Sequence, residues 1–165
     1  MNPTESPIRY EDSPPASMPA AAAKALAPFA PRYSEHHGTR AVLVERERFL
    51  EAARALEAAG YASFVDHTAV DYPERTPRFT IVVLLMDMET QDRLLLKTRV
   101  DDGESVASLT PLWSAANWAE RETYDMFGIP FQGHPNLCRI YMPQDYDGWP
   151  LRRDFPLAGH LRFRD

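Results

Sequence analysis

RFTIVVLLMDMETQDRLLLKTRV occupies residues 78–100, and its opening stretch, RFTIVVLLM, is apolar on both parities. β-Branched and aliphatic residues at that density suit a central strand covered on both faces. DMETQD then supplies a polar turn. RLLLKTRV follows, with Leu94, Leu96 and Val100 on one side and Arg93, Lys97 and Arg99 on the other. That alternation predicts a half-buried strand, so the stretch reads as a hairpin near the middle of a sheet.

Working outward, Thr39 to Val44 reads as a strand. ERERFLEAARALEAAG places Phe49, Leu50, Ala53 and Leu56 on one helical face, and Gly60 closes the helix. YASFVD (61–66) predicts a short strand, followed by a loop holding Asp71, Tyr72, Pro73 and Pro77. A second helix is expected over 111–127, capped by Thr110 or Ser108, with Leu112, Ala116, Ala119 and Thr123 on its small-residue face. A short helix from about Ala20 precedes the set, with Pro19 in its first turn and Pro31 as its stop. The order β-α-β-β-β-α predicts a two-layer α/β (α+β) sandwich with a mixed sheet and an antiparallel hairpin.

Three stretches follow: a flexible arm over 1–17, rich in Pro, Ser and acids; an α/β domain over 18–127; and an extended segment over 128–165. In the last, prolines and glycines break every period, yet Phe131, Tyr141, Tyr146, Trp149, Phe155 and Phe163 make it too aromatic for a free tail. Residues 131–156 would span about 85 Å if extended, against a radius of gyration near 13 Å for about 100 folded residues. The expectation is a strap that wraps a partner.

Composition narrows the function. The 165 residues are 44% hydrophobic and carry a formal charge of -6, without a Lys/Arg run, which argues against nucleic acid as a partner. IVVLLM (81–86) is too short to span a bilayer, and the N-terminus lacks the pattern of a secretory signal. The single cysteine, Cys138, excludes an internal disulfide and a cysteine-only cluster.

The densest charge lies in NWAERETYDMFGIPFQGHPN (117–136). Glu120 and Glu122 are roughly 200° apart on a helix, so they do not form an acid–base pair; Arg121 and Asp125, four apart, are placed to brace each other, and Glu120 to reach Tyr124. DYDGW (145–149) fails as a calcium loop, because its first ligand would be Pro143 and its last Asp154. His134 and Cys138 lack a second metal-spaced pair. PLRRDFPL (150–157) offers Leu151 and Phe155 as anchors beside Arg152 and Arg153, the residue types enriched in tight interfaces.

Glu120-Arg121-Glu122 with Asp125-Met126-Phe127-Gly128-Ile129, then Gly133-His134-Pro135 and Pro150-Leu151-Arg152-Arg153-Asp154-Phe155-Pro156-Leu157, resemble the 30-kDa subunit family of respiratory complex I. In bacteria its members are the C subunits of the proton-translocating NADH:quinone oxidoreductase. Val70-Asp71, Leu112-Trp113 and Ala116-Asn117-Trp118 resemble it too, so the likeness runs over roughly 40–160; Cys138, Trp149 and Arg153 depart from the usual residues.

The resemblance implies a non-catalytic subunit of the peripheral arm that braces the quinone-site subunit. It implies no catalytic, cofactor or metal residue here; FMN, iron–sulfur clusters and quinone are expected in partner subunits. Its signature and interface residues are Glu120, Arg121, Glu122, Asp125, Phe127, Gly128, His134, Arg139, Pro150, Leu151, Arg152, Arg153, Asp154, Phe155 and Pro156. The implied partners are the 49-kDa-type subunit (the D subunit of bacteria) and other connecting subunits, at the cytoplasmic face of the bacterial inner membrane and held there through the complex. An equivalent subunit of a membrane-bound hydrogenase, a formate hydrogenlyase or another complex I-like dehydrogenase is the alternative.

Overall fold

The computed structural model describes residues 9–156. The hairpin forms as expected. Strand β4 (Phe79–Met86) pairs antiparallel with β5 (Arg93–Val100) in the register Ile81–Thr98 and Val83–Leu96. Around it, β1 (Arg32–His36), β2 (Thr39–Leu43) and β3 (Ser63–Asp71) complete a five-stranded sheet of order β1-β2-β5-β4-β3. Only the β2–β5 pairing is parallel within it. A small second sheet joins β6 (Val106–Ala107) to β7 (Phe131–Gln132).

Helices α1 (Ala20–Leu26), α2 (Phe49–Ala58) and α3 (Ala116–Phe127) provide the second layer. Phe79, Ile81, Val83, Leu85, Leu94, Leu96 and Val100 form one core with Leu26, Phe49 and Leu56. The alternation that fills this core leaves Val82, Leu84 and Leu95, of opposite parity, only half-buried. Among the described residues the helices therefore cover one face of the sheet, not two; on the other, Val82, Leu84 and Leu95 stay half-buried while Ser34, Ala41, Leu43 and Lys97 are buried.

Four further expectations change. β1 is an addition; its edge takes residue 11, since Glu11 and Tyr33 exchange backbone hydrogen bonds of 2.7 Å, so residues 9–17 lie along the sheet rather than as a loose arm. β3 extends beyond 61–66 to Asp71, because its pairing with β4 continues to Asp71–Phe79, while Tyr72, Pro73 and Pro77 remain in the expected loop. α3 begins at Ala116, five residues late: Ser108 and the Leu109 amide are engaged by Glu120, and neither Ser108 nor Thr110 caps the helix. Lastly, residues 128–156 do not stretch away from the domain as a strap. They fold back on α3 and on the β3–β4 end of the sheet, through the contacts described next. Leu157 and residues 158–165 lie outside the described residues.

Candidate functional site: a polar clamp on the C-terminal segment

Gly128 ends α3 with φ +75°, a conformation that a Cβ disfavours. The indole of Trp149 lies directly over it; a Cβ on Gly128 would stand 2.5 Å from Trp149 Cε2. Tyr124 meets the same indole edge-on at 5.5 Å. The turn after α3 and the chain some twenty residues further on are thus built against each other.

Asp125 is fully buried and holds the returning chain. Its Oδ2 accepts hydrogen bonds from three consecutive amides, Ile140 (3.0 Å), Tyr141 (2.7 Å) and Met142 (3.0 Å), and its Oδ1 takes Arg139 Nη1 at 2.9 Å. Arg139, 6% exposed, also donates to the carbonyls of Tyr146 and Gly148, with its guanidinium 4.3 Å from the Trp149 ring centre. The Arg121–Asp125 brace expected from helical spacing is absent. Arg121 donates instead to the Cys138 carbonyl at 3.1 Å and stacks on Trp118. Spacing shows which residues share a face; it does not show that a third residue, Arg139, arrives from outside the helix.

Glu120 is fully buried as well, and it does not pair with Tyr124. It accepts from the Ser108 hydroxyl and the Leu109 amide, both at 2.6 Å. Burial pushes its carboxyl up to about 7 against the pull of those two donors. Glu122 remains exposed. His134 Nδ1 accepts from the Asn136 amide, which leaves Nε2–H to donate to the Asn117 carbonyl at 3.1 Å.

A second clamp fastens residues 151–154. Arg152 Nε donates to the Phe127 carbonyl at 2.6 Å, and its fork meets both oxygens of Asp102 at 2.9 Å. The Leu151 amide donates to the Met126 carbonyl. Asp71, 3% exposed, takes the Arg78 fork at 2.7 and 2.8 Å and the Arg153 amide at 2.8 Å, while Arg78 also pairs with Asp154 at 2.9 Å. Burial works to raise the Asp71 carboxyl, but the Arg78 guanidinium and the Arg153 amide overrule it and hold it below the usual carboxylate range. Arg152, expected to grip a partner, is thus occupied within the chain, whereas Arg153 and Leu151 are exposed. Asp71 and Arg78 are site residues that sequence reasoning misses. The hairpin register that sets them at the same sheet end is their signal.

The buried carboxylates of this region hold backbone amides, hydroxyls and guanidinium groups, an arrangement suited to fixing chain rather than to transferring protons. Among the described residues no cluster of three His, Cys, Asp or Glu side chains is placed to hold a metal, and no helix is long and apolar enough to cross a membrane. Three large apolar side chains of α3 and the clamped segment are exposed: Trp118, Tyr141 and Leu151, at 64%, 66% and 54%.

Fold and clamp define a class: an α+β domain with its helices on one side of a mixed sheet and a polar C-terminal segment locked to the end of the last helix. Residues 42–161 match the family described as "Respiratory-chain NADH dehydrogenase, 30 Kd subunit", and the chain belongs to that family. It is 42% identical over 132 residues to the NADH-quinone oxidoreductase C subunit of Hyphomonas neptunium, an alignment covering 78% of this chain and 65% of that protein. The NADH-quinone oxidoreductase C/D polypeptide of a Sulfurihydrogenibium species is 41% identical over 133 residues, 78% of this chain and 23% of that protein. The chain thus spans about two thirds of the first relative's length and less than a quarter of the second's. Among solved structures, an Nqo5 fragment (1-134) superposes with TM-score 0.64 at 31% identity, over 69% of this chain and 94% of that one. A chain of an archaeal membrane-bound sulfane sulfur reductase shares the fold, with TM-score 0.71 at 22% identity over 82% and 83%.

Proposed function

We propose that the chain is a non-catalytic peripheral-arm subunit of a proton-translocating NADH:quinone oxidoreductase, which supports assembly and braces the subunit that forms the quinone cavity. The observation that carries this reading is the clamp. Buried Asp125 and Arg139 fix residues 139–148, the exposed Tyr141 among them, while Trp118 stands exposed on α3 and Leu151 on the second clamp, aromatic and apolar anchors on a rigid support. The 49-kDa-type (D) partner is supported by the C/D relative, whose name joins the two letters in one polypeptide. Electron carriers (FMN, iron–sulfur clusters, quinone) belong to neighbouring subunits in this reading. The chain reaches the cytoplasmic face of the inner membrane through them.

The test is gentle solubilisation of membranes containing a tagged full chain, with identification of co-purifying subunits and an assay of NADH-dependent quinone reduction. Wild type is expected to bring down the 49-kDa-type subunit with activity. Trp118→Ala with Tyr141→Ala should reduce recovery at least tenfold without lowering the melting temperature of the isolated chain. A chain that purifies alone, or one that oxidises NADH by itself, overturns the proposal.

A further inference from the structure

The face of the sheet away from the helices carries charge of the wrong sign for this chain. Register and alternation place Val70, Val82, Leu84 and Leu95 there, half-buried, on the side away from the three helices. The same parity brings Arg32 of β1 and Arg93, Lys97 and Arg99 of β5 to this face; the strands set only Asp66 of β3 against them, while Glu45 and Glu104 border a depression beside Arg32 and Arg99 at one end. In a protein of formal charge -6 that is a local reversal.

Lys97 is the decisive residue. It lies mid-sheet beside Leu43 and Val82 and is 8% exposed. No carboxylate within the described residues pairs with it, nor with Arg93 or Arg99. Burial alone pulls its ammonium below the ordinary lysine range. With Ser34, His36, Thr39 and Leu95 it borders a depression of about 340 Å³. Buried cations are ordinarily paired, so an unpaired one at the edge of a depression marks a place for an opposite charge. Of the described N-terminal residues, Tyr10 reaches this face, where it lies near Arg32, Ser34 and Arg99.

We infer that this helix-free sheet face docks an acidic surface of a neighbouring protein subunit, with a partner carboxylate entering the depression to pair with Lys97. This rests on the reading of the chain as a subunit of a larger assembly, and extends it to a second surface, on the opposite side of the sheet from the clamp. Charge complementarity selects the occupant: a second copy of this chain would bring the same cations against themselves.

Zero-length carbodiimide coupling in intact membranes, followed by peptide mass spectrometry, tests the pairing directly. The expected product is an amide between Lys97 and an Asp or Glu of a subunit that co-purifies with the chain. Lys97→Met should lower recovery in the complex at least tenfold, while the isolated chain melts no lower than wild type. Arg93→Glu, at an exposed position, should lower recovery several-fold and weaken its dependence on salt. Unimpaired recovery of Lys97→Met and Arg93→Glu without Lys97 coupling overturns the inference, as does coupling to a second copy or to this chain's own N-terminus. The two proposals fail separately. Coupling to an identified protein outside an oxidoreductase keeps the docking face and removes the functional reading. Wild type recovered in the complex with Lys97 uncoupled does the reverse.

Discussion

The β3–β4–β5 region and the segment over 128–156 are both ordered parts of this protein, and they are held by different forces. The strands bury aliphatic side chains on one helix-covered face, where each contact is interchangeable with others of similar volume. The later segment lends Ile129 and Phe131 to that core, but beyond them it is held at a few polar points, Asp125, Arg139, Asp71 and Arg152. Apolar cohesion is spread over many residues. Polar cohesion is concentrated, so each of its points is indispensable, because removing one partner leaves the other buried and unpaired.

The comparison can be broken most sharply at Asp125. Asp125→Ala strands Arg139 and three amides, and a loss of about 3–5 kcal/mol is expected for the clamped unit. Hydrogen exchange should show amides 140–142 opening while β4 and β5 stay protected. Leu85→Ala, removing a fully buried leucine, should cost about 2–5 kcal/mol and loosen the strands and the clamp together. If both variants loosen the same amides equally, the two regions are one cooperative unit and the contrast is wrong.

Next in size is Gly128→Ala. Positive φ adds about 1–2 kcal/mol and the Trp149 indole leaves no room for the methyl, so a total near 2–3 kcal/mol is expected. Thermal melts read the loss, and Trp149→Leu in the same chain should recover part of it. No recovery would place the cost elsewhere.

The smallest effects concern pH. Glu120, raised to about 7, binds its proton more tightly folded than unfolded, so stability falls as pH rises from about 4.5 towards 7. His67 is buried on β3, its Nδ1 3.0 Å from Thr123 Oγ1, and burial lowers it to about 4. Its stability contribution is complete above 6.5 and is lost as pH falls towards 4. The two slopes oppose each other between about 4.5 and 6.5, each bounded by roughly 1.4 kcal/mol per pH unit for one proton. Wild type should therefore be nearly flat in that window. Glu120→Gln should expose a rising stability with pH, and His67→Gln a falling one, by denaturant melts at several pH values. Parallel profiles for the two variants would refute the opposition.

These forces also decide what the amino-acid sequence discloses. Period-2 burial is written residue by residue, so the hairpin, its register and the α2 face are readable from RFTIVVLLM, RLLLKTRV and the helix that precedes them. The clamp depends on Asp125 meeting Arg139, Asp71 meeting the Arg153 amide, and Trp149 covering Gly128, pairs joined only by the folded backbone. Helical spacing favours Arg121 for Asp125 because nothing local announces Arg139. β1 escapes notice because RYSEH has little apolar alternation and owes its strand to the edge of β2. Alternation assigns Lys97 the correct side of β5, but its unpaired burial becomes visible only in the folded sheet.

The parallel pairing of β2 with β5 has a consequence for synthesis. β3, β4 and β5 form a meander of neighbours, which can close as it leaves the ribosome at roughly 5–20 residues per second. The β1–β2 hairpin emerges first, yet β2 at residues 40–43 finds its sheet partner only at residues 94–97. The oldest strands of the nascent chain therefore wait, unpaired on one edge, until the youngest strand of the sheet arrives, and the C-terminal clamp closes later still. The order of translation is thus not the order of assembly in this protein: the central strand of the sheet is the last to be made, and its arrival joins the two halves.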